Sequence, residues 1–381
     1  MRAVANKSLT AYQTQISEIV QHEFIDPSFD YNDEDFEVLS TIRYDPNFTM
    51  PEMMFGQLLQ NKDHTALFGL PEHFGLNSDD GSLMDFMLNG STTGNDKQHD
   101  AADIINGLLN TAGGAKTKIS IQEKDNMWVL FYNRFLLLGE HFKRLNLSLE
   151  YFGWDFHIPL ELLLEKLIHA LPVDENFNGT LLERMRCLID DTNCYKMRVL
   201  VSCGGRMRIE AHLLPRVAQN SLGATEYFVN TILGGFLPGT EHIWDVFIDS
   251  EPLTVSPFTT FKTTKRDHYS AARKRMAEKA KRLEAKSLKS EILVFNSAFE
   301  LMEGSITNVA VIYKEPNSDR YSYQTPYLSS GCLCGVMRYY LLKKNLISET
   351  HIDVRDLKQG DEVLLFNGVM GCVKGIVRNS L

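Results

Sequence analysis

The 381-residue chain has no run of 18 or more apolar residues, the length a helix needs to cross a bilayer. It has no surplus of positive charge either. Its 39 Lys and Arg stand against 49 Asp and Glu, and the net charge of −10 has the wrong sign for a general nucleic-acid binder. Cysteine is scarce, with six thiols at 187, 194, 203, 332, 334 and 372. Cys332 and Cys334 are separated by one residue, and no second pair or nearby His completes a zinc site, so no metal is expected. The first twelve residues carry two basic side chains and no apolar core, so no secretory leader is expected there. Glu18, Glu23 and Asp26 speak against a mitochondrial leader, and the expected location is cytoplasmic, with free thiols.

What is present suits a globular protein of two domains: 44% hydrophobic and 23% charged residues over this length. We expect an N-terminal extension at 1–35, with a helical stretch at 11–23, and a small α/β domain at 36–216. A long insertion rich in Asn, Asp, Gly, Ser and Thr interrupts that domain at 47–122, a connector follows at 217–244, and a larger domain occupies 245–381. Periodicity predicts a strand at 36–44 and helices at 136–152, 160–170 and 180–191. In the first helix Phe142, Leu145 and Leu149 form the apolar stripe, with Arg144 beside it. A hairpin is predicted around Cys203-Gly204-Gly205, and strands at 246–249, 291–297, 309–313 and 362–366. An extended, Thr- and Phe-rich segment is predicted to turn at Lys262 into a long basic helix running to 289. Without interleaved aromatics beyond Tyr269, it reads as a solvated face rather than an RNA-binding arm. The fold class is mixed α/β.

Three features of the second half fit a single chemical requirement. Lys262 follows a Thr- and Phe-rich segment, where apolar neighbours would desolvate its amine and free it as a nucleophile. Residues 329–338 form a small-residue loop running into a helix start, where the N–H groups of Val336 and Met337 suit a phosphate. Glu303 lies between two apolar runs and is followed by Gly304, Ser305, Thr307 and Asn308. Alone, it reads equally well as an exposed acid in a hairpin turn or as a buried carboxylate that needs a cation. A cofactor with an aldehyde, a phosphate and a protonated ring nitrogen uses all three. Pyridoxal 5'-phosphate has that inventory.

The order of these pieces resembles the fold-type IV pyridoxal-phosphate enzymes, which comprise branched-chain and D-amino-acid aminotransferases and aminodeoxychorismate lyases. The resemblance rests on Thr41-Ile42-Arg43, Glu140-His-Phe-Lys-Arg-Leu145, the run from Phe261 to Arg273, and Met302-Glu-Gly-Ser-Ile-Thr-Asn-Val309. Gly335-Val-Met-Arg338 and Phe366-Asn-Gly-Val-Met370 are more similar to the lyase branch than to the transaminases.

The resemblance implies a small N-terminal α/β domain and a larger pseudo-barrel domain. It implies that Lys262 holds the cofactor covalently and then shuttles a proton, while Glu303 keeps the ring nitrogen protonated. Arg144, with the backbone at Val336, Met337, Gly368 and Val369, is implied to bind the phosphate, and Arg266, expected one helical turn after Lys262, to shape the ring side. Asn367, Arg43 and Arg198 are candidates to hold a substrate carboxylate, with an interstrand ion pair as the competing reading for Arg198. Asn308 is read as structural. The implied reaction is elimination of pyruvate from 4-amino-4-deoxychorismate to give p-aminobenzoate for folate synthesis. The runner-up is a branched-chain or D-amino-acid aminotransferase, and a non-catalytic binding relative is the third reading. The implied assembly is a homodimer, unless the insertions cover that surface and leave a monomer.

Overall fold

The computed structural model describes residues 35–48, 123–215, 223–240, 243–282, 289–314 and 320–381. The expected N-terminal extension up to 34, its helical stretch, and the insertion from 49 to 122 lie outside the described residues.

The first sheet begins with β1 (Val38–Tyr44), whose residues are nearly all buried. Among the described residues four helices follow: α1 (Glu123–Arg134), α2 (Leu138–Tyr151), α3 (Leu160–Ala170) and α4 (Leu181–Leu188). Thr180 and Glu183 form a reciprocal capping box that sets the start of α4. In α3, Leu163, Leu164, Leu167 and Ile168 recur at helical spacing and are fully buried. The hairpin of β2 (Tyr195–Val201) and β3 (Met207–Leu213) closes an antiparallel sheet in the order β1-β2-β3.

The second sheet is larger. Its elements are α5 (Ala224–Ile232), β4 (Ile243–Ile248), α6 (Pro257–Thr260), α7 (Asp267–Arg282), β5 (Ser290–Phe295), β6 (Leu301–Gly304), β7 (Asn308–Lys314), β8 (Tyr321–Pro326), α8 (Val336–Lys343), β9 (Ser348–Thr350), β10 (Glu362–Asn367) and β11 (Gly371–Val377). Eight strands run in the order β6-β5-β4-β11-β10-β7-β8-β9, parallel at β4–β5, β4–β11 and β8–β9 and antiparallel elsewhere. The end strand β6 also approaches β7 and β8, so the sheet curls back on itself. The architecture is mixed α/β with a curled, half-barrel sheet. Among the described residues no helix is long and apolar enough to cross a membrane.

One expectation about the helices needs correction. The long helix expected to open at Lys262 starts only at Asp267, and a separate short helix, α6, stands where an extended segment was expected. α6 is a single turn, capped by Ser256 with Pro257 at its first position, and it stops at Phe261. Phe258 and Phe261 are buried in the core of the first sheet and its helices, with the Phe261 ring 4.3 Å from that of Tyr151. That anchoring draws the chain into an extended path beside β1. Leu39 N donates to Lys262 O at 2.8 Å, and Thr264 N donates to Glu37 O at 2.9 Å. The long helix opens beyond both residues, so Lys262 and Arg266 are not one helical turn apart. No strand is expected from the sequence at β11, and the same holds for β6, β8 and β9. In β11, Gly375 is required by packing, since a Cβ there would lie 2.5 Å from Val246 Cγ2.

Candidate active site

The extended path of residues 261–264 carries Lys262 along one edge of β1 and into a cleft of about 460 Å³. Leu39 and Thr41 of β1, His141 and Arg144 of α2, and Lys196 and Arg198 of β2 line one side of it. Glu303 to Asn308, Gly335 to Met337 and Asn367 to Met370 line the other. Among the described residues, five basic side chains therefore border the cleft against one carboxyl, in a chain whose net charge is −10. The electrostatics favour a ligand with several negative charges.

Burial, reinforced by the Arg266 and Arg144 charges, lowers the Lys262 ammonium to about 7, against the opposing pull of Glu303. Such an amine is substantially neutral near pH 7 and able to act as nucleophile or base. Glu303 sits at the end of β6 and is only 2% exposed. Burial raises its carboxyl to about 7, opposed by hydrogen bonds from Tyr269 and the Leu333 backbone and by the Lys262 and Arg266 charges. The Tyr269 hydroxyl donates to Oε1, and Asn308 Nδ2 lies 3.4 Å from Oε2 and donates to Leu333 O at 3.0 Å. The two readings of Glu303 are thus resolved in favour of the buried carboxyl.

Arg144 is buried, donates to Ser40 Oγ at 3.2 Å, and has no ion-pair partner among the described residues. A buried guanidinium without a carboxylate is costly unless an anion arrives. Gly335 caps α8 without a side chain, and the N–H groups of Val336 and Met337 open its first turn. A Cβ on Gly368 would lie 2.9 Å from His141 Nε2 and 3.0 Å from Val336 Cγ2, so only glycine lets that turn approach so closely.

Other expected residues have different duties. Val369 lines the cleft, but its N–H donates to Asn367 Oδ1 at 2.9 Å and its carbonyl accepts from Arg43 Nη1 at 3.2 Å. Arg43 is corrected as a substrate ligand: it is buried, gives Nε and Nη2 to Asp45 Oδ2 at 2.9 and 2.7 Å, and does not line the cleft. Asn367 lines the cleft, but it also receives Met370 N at 2.9 Å and donates to Ile306 O at 3.1 Å, which leaves one side-chain N–H for a ligand. Arg198 makes the interstrand ion pair of its competing reading, with Glu210 across the hairpin at 2.7 Å, and it also lines the cleft. Arg266 lines the cleft, donates to Ser305 O and lies 4.7 Å over the Tyr269 ring. Asn308, expected to be structural, also touches the acid.

Sequence reasoning missed Tyr269, His141, Ser40 and Lys196 as site residues. Tyr269 and His141 stood within the quoted motifs, yet only contacts formed across the fold give them work. Among the described residues no group of three or more His, Cys, Asp or Glu could hold a metal ion.

Residues 127–375 match the model of the class IV amino-transferase family. The chain belongs to that family. Within the matched segment of this class IV family member lie Arg144, Lys262, Glu303 and Asn367, while Ser40 and Thr41 on β1 precede it. The chain is 40% identical over 360 residues to an aminodeoxychorismate lyase of Saccharomyces cerevisiae, a match spanning 90% of this chain and 93% of the relative. A crystal structure of a putative amino-acid aminotransferase from Mesorhizobium loti shares 21% identity and a TM-score of 0.45, over 64% of this chain and 92% of that one. A putative 4-amino-4-deoxychorismate lyase from Legionella pneumophila shares 14% identity and a TM-score of 0.41, over 64% and 78%. Overlaps of that size add no weight to the assignment.

Proposed function

We propose that this chain is a pyridoxal 5'-phosphate-dependent lyase that eliminates pyruvate from 4-amino-4-deoxychorismate and leaves p-aminobenzoate. The observation that carries the reading is one cleft in which a near-neutral lysine amine, a buried carboxyl and a buried, carboxylate-free arginine meet. The yeast relative's name supports a lyase over an aminotransferase within the family.

The residues present fit the cofactor. Arg144 and the first turn of α8 suit its phosphate, the Lys262 amine its aldehyde, and Glu303 a cationic ring nitrogen. Bound there, pyridoxal phosphate supplies an aldehyde that captures an amine and a cationic ring that draws electrons from the neighbouring carbon.

Lys262 has two tasks. Its free amine would take the proton from the amine-bearing ring carbon of the substrate. The carbon–oxygen bond to the enolpyruvyl group then breaks, and Lys262 returns the proton to the departing methylene carbon, giving pyruvate. The ring becomes aromatic, which makes the step irreversible. Glu303, oriented by Tyr269 and Asn308, holds negative charge opposite the ring nitrogen. Lys196 and Arg198, on one face of β2, suit the carboxylates of the substrate. A homodimer and a cytoplasmic location remain the expectations from the sequence.

The test is turnover by the purified protein supplied with pyridoxal phosphate and 4-amino-4-deoxychorismate. Equal amounts of p-aminobenzoate and pyruvate are expected, with none from Lys262→Ala. A protein that binds the cofactor, makes neither product and instead transfers an amino group to 2-oxoglutarate would overturn the lyase reading.

A further inference from the structure

His141 is almost fully buried on α2, one turn before Arg144, and it lines the cleft. Its Nδ1 lies 2.7 Å from Ser40 Oγ, and its Nε2 has no hydrogen-bond partner among the described residues. Ser40 Oγ already accepts from Arg144 Nη2 at 3.2 Å. A hydroxyl has one proton to give, and His141 Nδ1 is the acceptor in reach. Ser40 therefore donates to Nδ1, and in the neutral ring the imidazole proton is on Nε2. Burial and the adjacent Arg144 and Lys262 charges hold the ring neutral, well below the ordinary histidine range.

Nε2–H is thus a buried donor with nothing to receive it, and leaving such a donor unpaired is costly. Its position identifies the acceptor. It faces the Gly368 turn beside Val336, where the first turn of α8 and the Arg144 guanidinium converge on the cleft. Those neighbours are donors and a cation, so the missing partner is an anion.

We propose that His141 is a neutral phosphate-binding residue, its Nε2–H donating to an oxygen of a phosphate monoester while Ser40 sets its tautomer. Arg144 then serves twice, as a charge for the phosphate and as a donor that turns the Ser40 hydroxyl toward His141. This rests on the cofactor reading above, and the phosphate-bearing group is pyridoxal phosphate.

The experiment is a fluorescence and absorbance titration of cofactor-free protein with pyridoxal phosphate and, separately, with pyridoxal, which lacks the phosphate. His141→Ala is expected to weaken pyridoxal phosphate binding roughly ten- to a hundred-fold, as for a lost hydrogen bond to a charged group, and to leave pyridoxal binding unchanged. Ser40→Ala removes no buried bulk and should give a smaller loss, also confined to the phosphate-bearing ligand. Equal losses for both ligands in both variants would overturn the proposal and make His141 a packing residue. Wild-type protein that binds neither ligand would instead bring down the cofactor reading itself.

Discussion

The Tyr269 hydroxyl donates to Oε1 of Glu303, joining the first turn of α7 to the end of β6 across 34 residues of sequence. Tyr269 is buried, and its ring carries the Arg266 guanidinium 4.7 Å from its centre. One side chain thus steadies both an acid and a cation that face the cleft. Tyr269→Phe keeps the ring and removes the donor. Glu303 should then rise further above the ordinary carboxyl range, because the lost hydrogen bond held it down. With a hydrogen bond to a charged group contributing ~1.5–3 kcal/mol, kcat should fall roughly ten-fold or more. Steady-state kinetics and the pH profile of kcat check this. An unchanged profile would show that Asn308 alone orients the acid.

Lys262 carries a pH signature. Its folded value, about 7, lies below the ordinary 10.5, so the unfolded chain holds the proton more tightly between those limits. Folding of the cofactor-free protein is therefore penalised fully below about pH 7, and the penalty fades as pH rises toward 10.5. Lys262→Met should stabilise the cofactor-free protein at pH 6, on the order of 2–4 kcal/mol at ~1.4 kcal/mol per unit with a discount for partial access to water. The advantage should shrink by pH 9.5. Denaturant titrations at the two pH values measure it, and a gain independent of pH would contradict the assignment.

Gly335 has no room for a side chain. A Cβ there would lie 1.9 Å from Asn308 Oδ1, the amide whose nitrogen contacts Glu303 and Leu333 O. Gly335→Ala should lower stability by ~1–3 kcal/mol through overpacking and weaken turnover by turning Asn308 away from Glu303. Adding Asn308→Ala should recover stability but not turnover, a coupling that melting curves and kinetics of the double mutant would reveal.

Asp45 accepts from Arg43 and from the Tyr227 hydroxyl at 2.9 Å, and Arg43 in turn holds the Val369 carbonyl. This buried chain of contacts runs from α5 through β1 to the turn at Gly368. Asp45→Asn leaves the Arg43 charge buried without its partner and should cost about 3–5 kcal/mol in urea unfolding. Cofactor affinity should fall with it. A variant that loses stability while binding cofactor normally would show that the Gly368 turn holds its shape without Arg43.

Much of the architecture was legible in the residues. Apolar spacing marks α2 and α3, a capping box starts α4, and two glycines turn the β2–β3 hairpin. These are local signals, and local physics honours them. The lysine, the acid and the helix start could likewise be picked out, because each residue type carries its chemistry with it.

Tertiary structure decided the rest. A basic helix was expected to open at Lys262, yet burial of Phe258 and Phe261 in the core of the first sheet keeps the backbone extended beside β1 through Thr264. Arg43 and Val369 have the right chemistry for ligands, but Asp45 and Asn367, each two residues away, take up the Arg43 guanidinium and the Val369 N–H, and Arg43 also reaches the Val369 carbonyl from across the fold. Tyr269 and His141 acquire roles only from partners 34 and 101 residues away. Residue type sets what a group can donate, accept or ionise. Which of those capacities is left for a ligand depends on the contacts that folding has already filled.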